Sequence, residues 1–539
     1  MIEKLTENSI LPLLPFTTNT VKIANEALED KIIPFPNFDA IPFNEKVWFY
    51  EKGRETPSYQ LYIHSLRVVA ELLNYYKKEK KKEYLYKAKD ITDSWISFAA
   101  SEKTKMTWYD HPTANRTQVI IELIYYLNKL DSTVDLSRYF SQLETHCDYL
   151  QSDLNYRANN HGIMMDRALI MTGLVLGNEV FYLKGKSRIQ QTFWLSFSHN
   201  GVHLENSPEY HLMVIKMFVE IEKYLNKNDD TLGIEINNMI KQSQNYLLKI
   251  KKPNGIIPAI GDSSEIKINS EELYWENFKD SESGLTIIKE ESNKLYLAFI
   301  CGFSTATHKH SDDLSIILSY DNQDYFVDSG KFNYSKSKER YYVVSNKAHS
   351  SFQLDEKYEK NYENKFTKEI WTDTFFDTYD YTVVSGYNKK YKNAFMRRTV
   401  YYVKKMNLIL IIDYGISDNK KNWINRFNLN EKIEVKKNKN NSAILSINNS
   451  YLYLECLSEH NISIIDKFTD EIVENPIISK KANKKINNKQ IILEENNKNI
   501  SEFICCISFN EVPEVKILEK ENYLVLYKKN TRIQLPKIQ

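Results

Sequence analysis

Glycine and proline are scarce in this chain, 14 and 13 of 539 residues, which excludes collagen-like, low-complexity and long-linker architectures. Cysteine is scarcer still: five, at 147, 301, 456, 505 and 506, odd in number and without a CxxC spacing. That excludes a disulfide framework and fits reduced thiols, with the adjacent pair in EFICCISF reading as strand core. Charge of one sign is lacking too. Seventy-two Lys and Arg against 71 Asp and Glu leave a formal charge of +1, so no global field favours nucleic acid, and an anionic ligand needs a local basic patch. No apolar run reaches the length of a membrane span. The opening MIEKLTENSILPLLPF has acids ahead of a short apolar run broken by proline, which makes a poor signal peptide. The expected location is therefore cytoplasmic, with no membrane span and no nucleic-acid partner.

What is present is tyrosine, 37 residues of it, a side chain that joins apolar area to a hydrogen-bonding tip and suits a wide, wet binding surface. A chain this long exceeds one ordinary core, so two or more domains are expected. From about 55 to 250 the apolar period is helical: Tyr62, Leu66, Val69 and Leu73 share a face, as do Leu85, Ala88, Trp95 and Phe98. Helices of about 12–18 residues with short loops suggest stacked antiparallel pairs. The stretch 251–265, KKPNGIIPAIGDSSE, breaks that pattern with Pro and Gly. After it the period becomes two, through segments such as KLYLAFICGF, NLILIIDYG and QIILEE, which predicts an antiparallel sandwich or a stack of sheets. The basic stretches KKNKNNS and KKANKKINNKQ read as solvated hairpin loops. The expected organisation is an N-terminal extension over 1–50, a helical domain over 51–265 and an antiparallel sheet domain over 266–539.

Eight of eleven histidines fall in short polar clusters: TWYDHPTANR, RANNHGIMMDRA, SHNGVHLENSPEYH, THKHSDD and NKAHSSF. In an extended chain His308, His310 and Asp312 would share one face, with Asp328 near the end of the next strand. Such a ladder is either a solvated strand face or a site.

The motifs NNHG (159–162), ENSPEYH (205–211), PNGIIPAIGDS (253–263), HKHSDDLSIIL (308–318), FVDSG (326–330) and AHSSF (348–352) occur in this order. Together they resemble the heparinase II/III-like polysaccharide lyases, over roughly 50–420. The resemblance implies an α+β multidomain fold, an incomplete α/α-toroid followed by a C-terminal antiparallel β-sandwich, and β-elimination at a 4-linked uronic acid without an organic cofactor. It implies that Asn160 neutralises the uronate carboxylate, that Tyr210 moves a proton between C5 and the leaving oxygen with a phenol acidified by neighbouring cations, and that His161 and His308 are the matching imidazoles. It makes His310, Asp328 and His349 a zinc-binding trio, structural in role, with Asp312 and Asp313 as second partners of the imidazoles. Trp108, Asp110, His111 and Arg116 correspond to a cleft-lining loop in which Trp108 stacks a sugar and Arg116 pairs with a carboxylate, and Glu205 and His211 are further substrate contacts. The plain alternative for that loop is a helix-start ion pair with a packed Trp. The expected partner is an anionic polysaccharide or oligosaccharide, imported for degradation or handled in capsule or exopolysaccharide production, with homodimerisation left open. Two other readings remain at this point, a uronosyl C5-epimerase and a non-catalytic glycan-binding protein.

Overall fold

The computed structural model describes residues 5–356, 368–458, 460–466 and 475–538. Its contacts divide the chain into two compact units, Met1–Ser196 with Lys216–Ile240, and Phe197–Ile215 with Lys241–Gln539. The helices Pro208–Asn226 and Ile234–Ile250 are each divided between the two. The expected order, helices first and antiparallel sheet afterwards, is the one observed. No helix among the described residues is long and apolar enough to cross a membrane.

In the helical unit Arg67–Glu79 shows why these segments fold locally. Val68, Val69, Leu72 and Leu73 are buried on it, while Lys77 and Lys78 stand in its last turn, where cations complement the helix dipole. Lys80 ends it in the left-handed conformation. The stripe expected to run through Tyr62 and Leu66 is interrupted: one helix is Thr56–His64, the next starts at Arg67, and Leu66 between them has φ +52°. The periodicity survives the break because Leu66 is itself fully buried. The segment before residue 50 packs by its own helix, Thr18–Leu28, which buries Ile23, Ala24 and Ala27 and donates a hydrogen bond from Thr20 to Glu71 at 2.7 Å.

The second unit is layered. A five-stranded sheet (strands from Phe278–Asp280 to Gln323–Phe326) and a ten-stranded sheet share one core, in which Leu297 and Phe299 meet Ile409, Ile411 and Trp423. The opposite face of the five-stranded sheet, with Tyr296, Ala298 and Ile300, packs on Tyr246, Ile250 and Ile257. The opposite face of the ten-stranded sheet, with Leu408, Leu410 and Cys506, packs on a three-stranded sheet spanning Val515–Glu519 to Thr531–Pro536. Strand Leu295–Ile300 is therefore buried on both faces, so the alternation expected for KLYLAFICGF gives way there to a continuous apolar run. All five cysteines are free and buried, and Cys505 and Cys506 lie in strand Gln490–Phe509 as expected.

The basic stretches depart from expectation. Both are mostly strand: Glu434–Lys439 pairs with Ser442–Ile447, and Ile477–Lys481 with Lys484–Asn487. Cross-strand backbone bonds override the weak strand propensity of Lys and Asn there. The stretch 308–314 departs the other way. It is a loop, and the strand begins only at Ser315. His308 (φ +57°) and Leu314 (φ +62°) are left-handed, so His308, His310 and Asp312 do not share a strand face.

Candidate active site

In the helical unit, Asn159 caps the helix Asn160–Leu176: its side chain accepts from the amides of His161 at 3.0 Å and Gly162 at 3.2 Å. This leaves the Asn160 amide, half-buried in the first turn, unneeded as a cap. His161 Nδ1 lies 3.1 Å from Asp110 Oδ2, while Asp110 Oδ1 accepts from the His111 amide. Burial opposes ionisation of Asp110, yet the bond from His161 holds its carboxyl below the usual range. Asp110, expected at the substrate, is thus the partner of His161. His111 sits edge-on to His161, and burial lowers its pKa to about 4, so its imidazole is neutral.

Three further expectations are corrected. Arg116 is 0% exposed. Its guanidinium lies 3.7 Å from the Trp95 ring centroid and donates to His146 and to the carbonyls of His64 and Thr107, so it is committed to the core and out of reach of a uronate. Trp108 packs against Trp95, His146 and Tyr149, the plain alternative for this loop. His211 is 1% exposed, with Nδ1 accepting from the His203 amide and Nε2 on the Ser243 carbonyl, so both ring nitrogens are engaged within the protein rather than at a substrate.

In the sheet unit the Tyr210 ring stacks on the His308 imidazole, with centroids 3.5 Å apart and planes 21° from parallel. His308 Nδ1 is 3.2 Å from the Glu205 carboxylate. Gly261 makes this assembly possible: it is left-handed, and a Cβ there would lie 2.4 Å from the Asn206 carbonyl and 2.8 Å from that of His308. Tyr334 donates from its hydroxyl to the Tyr210 hydroxyl at 3.0 Å. Burial pushes the Tyr210 phenol above its ordinary pKa, and the carboxylates of Asp262, Glu209 and Glu205 push the same way, against the bond from Tyr334. The expected acidification by cations is therefore reversed. Lys331 is nearby but is consumed in an ion pair with Glu209.

In the same unit lie His310, Asp328 and His349, all buried, with ligand atoms within 4.8 Å of one another. His310 Nε2 is held by Asp262 at 2.9 Å, which leaves Nδ1 as the free ligand atom. Asp262 also takes the Arg340 guanidinium, whose carbon is 5.1 Å from the Tyr334 ring centroid. Although burial opposes it, the Asp328 carboxylate raises the pKa of His349, and His349 in turn keeps Asp328 ionised. Among the described residues neither His310 Nδ1 nor His349 Nε2 has a hydrogen bond, and two buried imidazoles beside a carboxylate form a donor set that fits zinc. Asp312 and Asp313, expected behind the imidazoles, pair with Lys309, and Asp313 also with Lys390 at 3.4 Å.

Against known families, residues 9–283 match the heparinase II/III N-terminus and residues 277–518 match the heparinase II/III-like C-terminal region. The chain belongs to the heparinase II/III family. Family membership carries the class of enzyme, a polysaccharide lyase. Among solved structures, the heparan sulfate lyase HepC from Pedobacter heparinus aligns at 16% identity and TM-score 0.72, covering 99% of this chain and 91% of that one. A heparinase III aligns at 16% identity and TM-score 0.76, covering 99% and 94%. A chondroitinase AC lyase aligns more distantly, at 10% identity and TM-score 0.55, covering 97% and 87%. These likenesses show a shared fold. No curated protein sequence matches this chain.

Tyr334, Asp262, Arg340 and the cap Asn159 were not singled out from the sequence. Asp262 stood inside a recognised motif, PNGIIPAIGDS, and Asn159 inside NNHG, so their positions carried a signal without a role. Tyr334 and Arg340, in KFNYSKSKER, carried none.

Proposed function

We propose that this heparinase II/III family member cleaves a 4-linked uronic acid by β-elimination, with Tyr210 as the proton donor to the leaving oxygen. The observation that carries this reading is the direction of one hydrogen bond. Tyr334 donates to Tyr210, so the Tyr210 oxygen is the acceptor and its own proton remains available to a ligand. Burial keeps that phenol neutral, as a general acid must be. Its stacked neighbour His308, with Glu205 at Nδ1, has Nε2 left to accept the C5 proton. The C5–H pair then forms the C4–C5 double bond, the C4–O bond breaks, and the departing 4-oxygen takes the phenol proton. The products are a 4,5-unsaturated uronate and a new hydroxyl end. The C5 carbanion would stand beside a carboxylate, so a neutral donor must spread its charge. The resemblance assigns that role to the Asn160 amide, with His161, oriented by Asp110, as the accompanying imidazole.

Zinc at His310, Asp328 and His349 belongs to the same proposal. When bound, the ion neutralises the buried carboxylate and ties the loops that carry the three ligands. Through Asp262 and Arg340 this chain's own side chains connect His310 to the Tyr334 ring.

The test is absorbance of the unsaturated uronate across a panel of uronate polymers, for the parent and for Tyr210→Phe. The variant keeps the ring stack and should lose about 10²- to 10⁴-fold in turnover, with substrate binding changed far less. A folded Tyr210→Phe enzyme with near-parental turnover overturns the assignment. Solvent deuterium at C5 without chain cleavage would identify an epimerase instead.

A further inference from the structure

Lysine is concentrated on one hairpin of the sheet unit. Strands Ile477–Lys481 and Lys484–Asn487 are joined by Ala482 and a left-handed Asn483, and residues 480–489 hold five lysines and no acid. Three are tied down: Lys480 to Glu431 at 2.7 Å, Lys485 to Glu339 at 2.7 Å, and Lys489 to the Ile433 carbonyl at 2.7 Å. Lys481 and Lys484 are exposed, and among the described residues neither has a carboxylate within ion-pair distance. They are register partners across the hairpin. Like charges placed directly opposite repel, so this arrangement costs stability and folding does not account for it.

The hairpin is fastened to the segment that carries Tyr334. Asn483 donates its amide to the Phe332 carbonyl at 2.8 Å and accepts from the Asn333 side chain at 2.9 Å. The Ser479 amide reaches the Ser329 carbonyl at 2.6 Å. Gly330 is left-handed where any Cβ would lie 2.1 Å from the Ser479 oxygen, so the two backbones are in contact. The same segment exposes Lys336 and Lys338, again without a described carboxylate partner, and two tyrosines, Tyr334 at 57% and Tyr341 at 59% exposure. Four unneutralised cations and two aromatic faces thus stand on elements bonded to the partner of Tyr210, in a chain whose net charge is only +1.

We infer that this hairpin and the segment 331–341 form a cationic rim that binds a glycan carrying repeated carboxylate or sulfate groups, with Lys336, Lys338, Lys481 and Lys484 as its specificity determinants. The lysines meet the anionic groups, and the exposed tyrosines offer faces to sugar rings. The inference rests on the lyase reading for the identity of the polymer. Its test does not need turnover.

The full-length chain and the double variant Lys481→Glu/Lys484→Glu are compared by the salt needed for elution from immobilised heparan sulfate. A charge-matched control, Lys436→Glu/Lys439→Glu, alters the other basic hairpin. Loss of two exposed contacts should weaken binding about ten-fold, so the rim variant should elute at lower salt while the control elutes with the parent. Equal elution of rim variant and parent overturns the inference, as does an equal shift in the control, which would be a net-charge effect. Retention on immobilised duplex DNA to the same or higher salt overturns the choice of a glycan. A parent that binds through the rim yet forms no unsaturated product leaves the rim standing and removes the lyase chemistry. Turnover by the rim variant with a raised KM and unchanged kcat separates its role from that of Tyr210.

Discussion

Each unit buries a cluster built around two histidines, and the two clusters handle burial in opposite ways. In the helical unit Arg116 supplies the polarity. It donates to His146 Nε2 at 3.2 Å, to the Thr107 carbonyl at 3.0 Å and to the His64 carbonyl, while Trp95 donates to His64 Nδ1 at 3.2 Å and Thr117 meets His146 Nδ1 at 3.0 Å. Burial lowers the pKa of His64 to about 3 and that of His146 well below its ordinary value, so both are neutral. In the sheet unit His310 and His349 flank a carboxylate, and a nitrogen on each ring has no hydrogen bond among the described residues. A cluster whose donors and acceptors are matched is complete as packing. One that buries imidazole nitrogens without hydrogen bonds beside a carboxylate is incomplete as packing.

The largest effect that could break this contrast is expected from Arg116→Met. It strips donors from His146 and from two buried carbonyls, each loss worth ~1–3 kcal/mol. Urea unfolding should show about 3–5 kcal/mol less stability, with metal content unchanged. Parental stability in this variant would mean that the cluster is not the structural element described.

The sheet cluster should respond to chelation instead. Protein purified without added metal is expected to carry about one zinc per chain, lost in His349→Ala. Chelator should lower parental stability by about 2.7 kcal/mol where zinc had been at a hundred times its Kd, and leave His349→Ala unchanged. Parental protein free of zinc and insensitive to chelator would reduce the trio to a polar cluster.

The smallest effect sharpens the contrast through pH. The unfolded state protonates His64 near pH 6.5, whereas the folded state refuses the proton until about pH 3. The unfolded state therefore binds more protons in this window, and stability falls as pH falls from 6.5. At pH 5, 1.5 units below the ordinary value, this one imidazole should cost about 2 kcal/mol relative to pH 7. A stability curve for His64→Asn that keeps the parental slope between pH 7 and 5 would contradict the neutral cluster.

The sequence by itself determined what short-range patterning can carry. The change of apolar period near 251–265 separates helices from strands because each period is set within a few residues. The metal-capable trio was legible as residue types within ordered motifs, as were Tyr210 and His308. What only the tertiary structure decided is which polar groups are satisfied by distant partners. Arg116 looks like a cleft cation until His64, 52 residues away, takes it into the core. Tyr210 looks like a phenol acidified by cations until Tyr334, 124 residues on, and three carboxylates are placed around it. Asp262 gains its role from His310, 48 residues later. Burial, hydrogen-bond direction and pKa depend on distances across the folded chain, and a pattern read along the chain does not contain those distances.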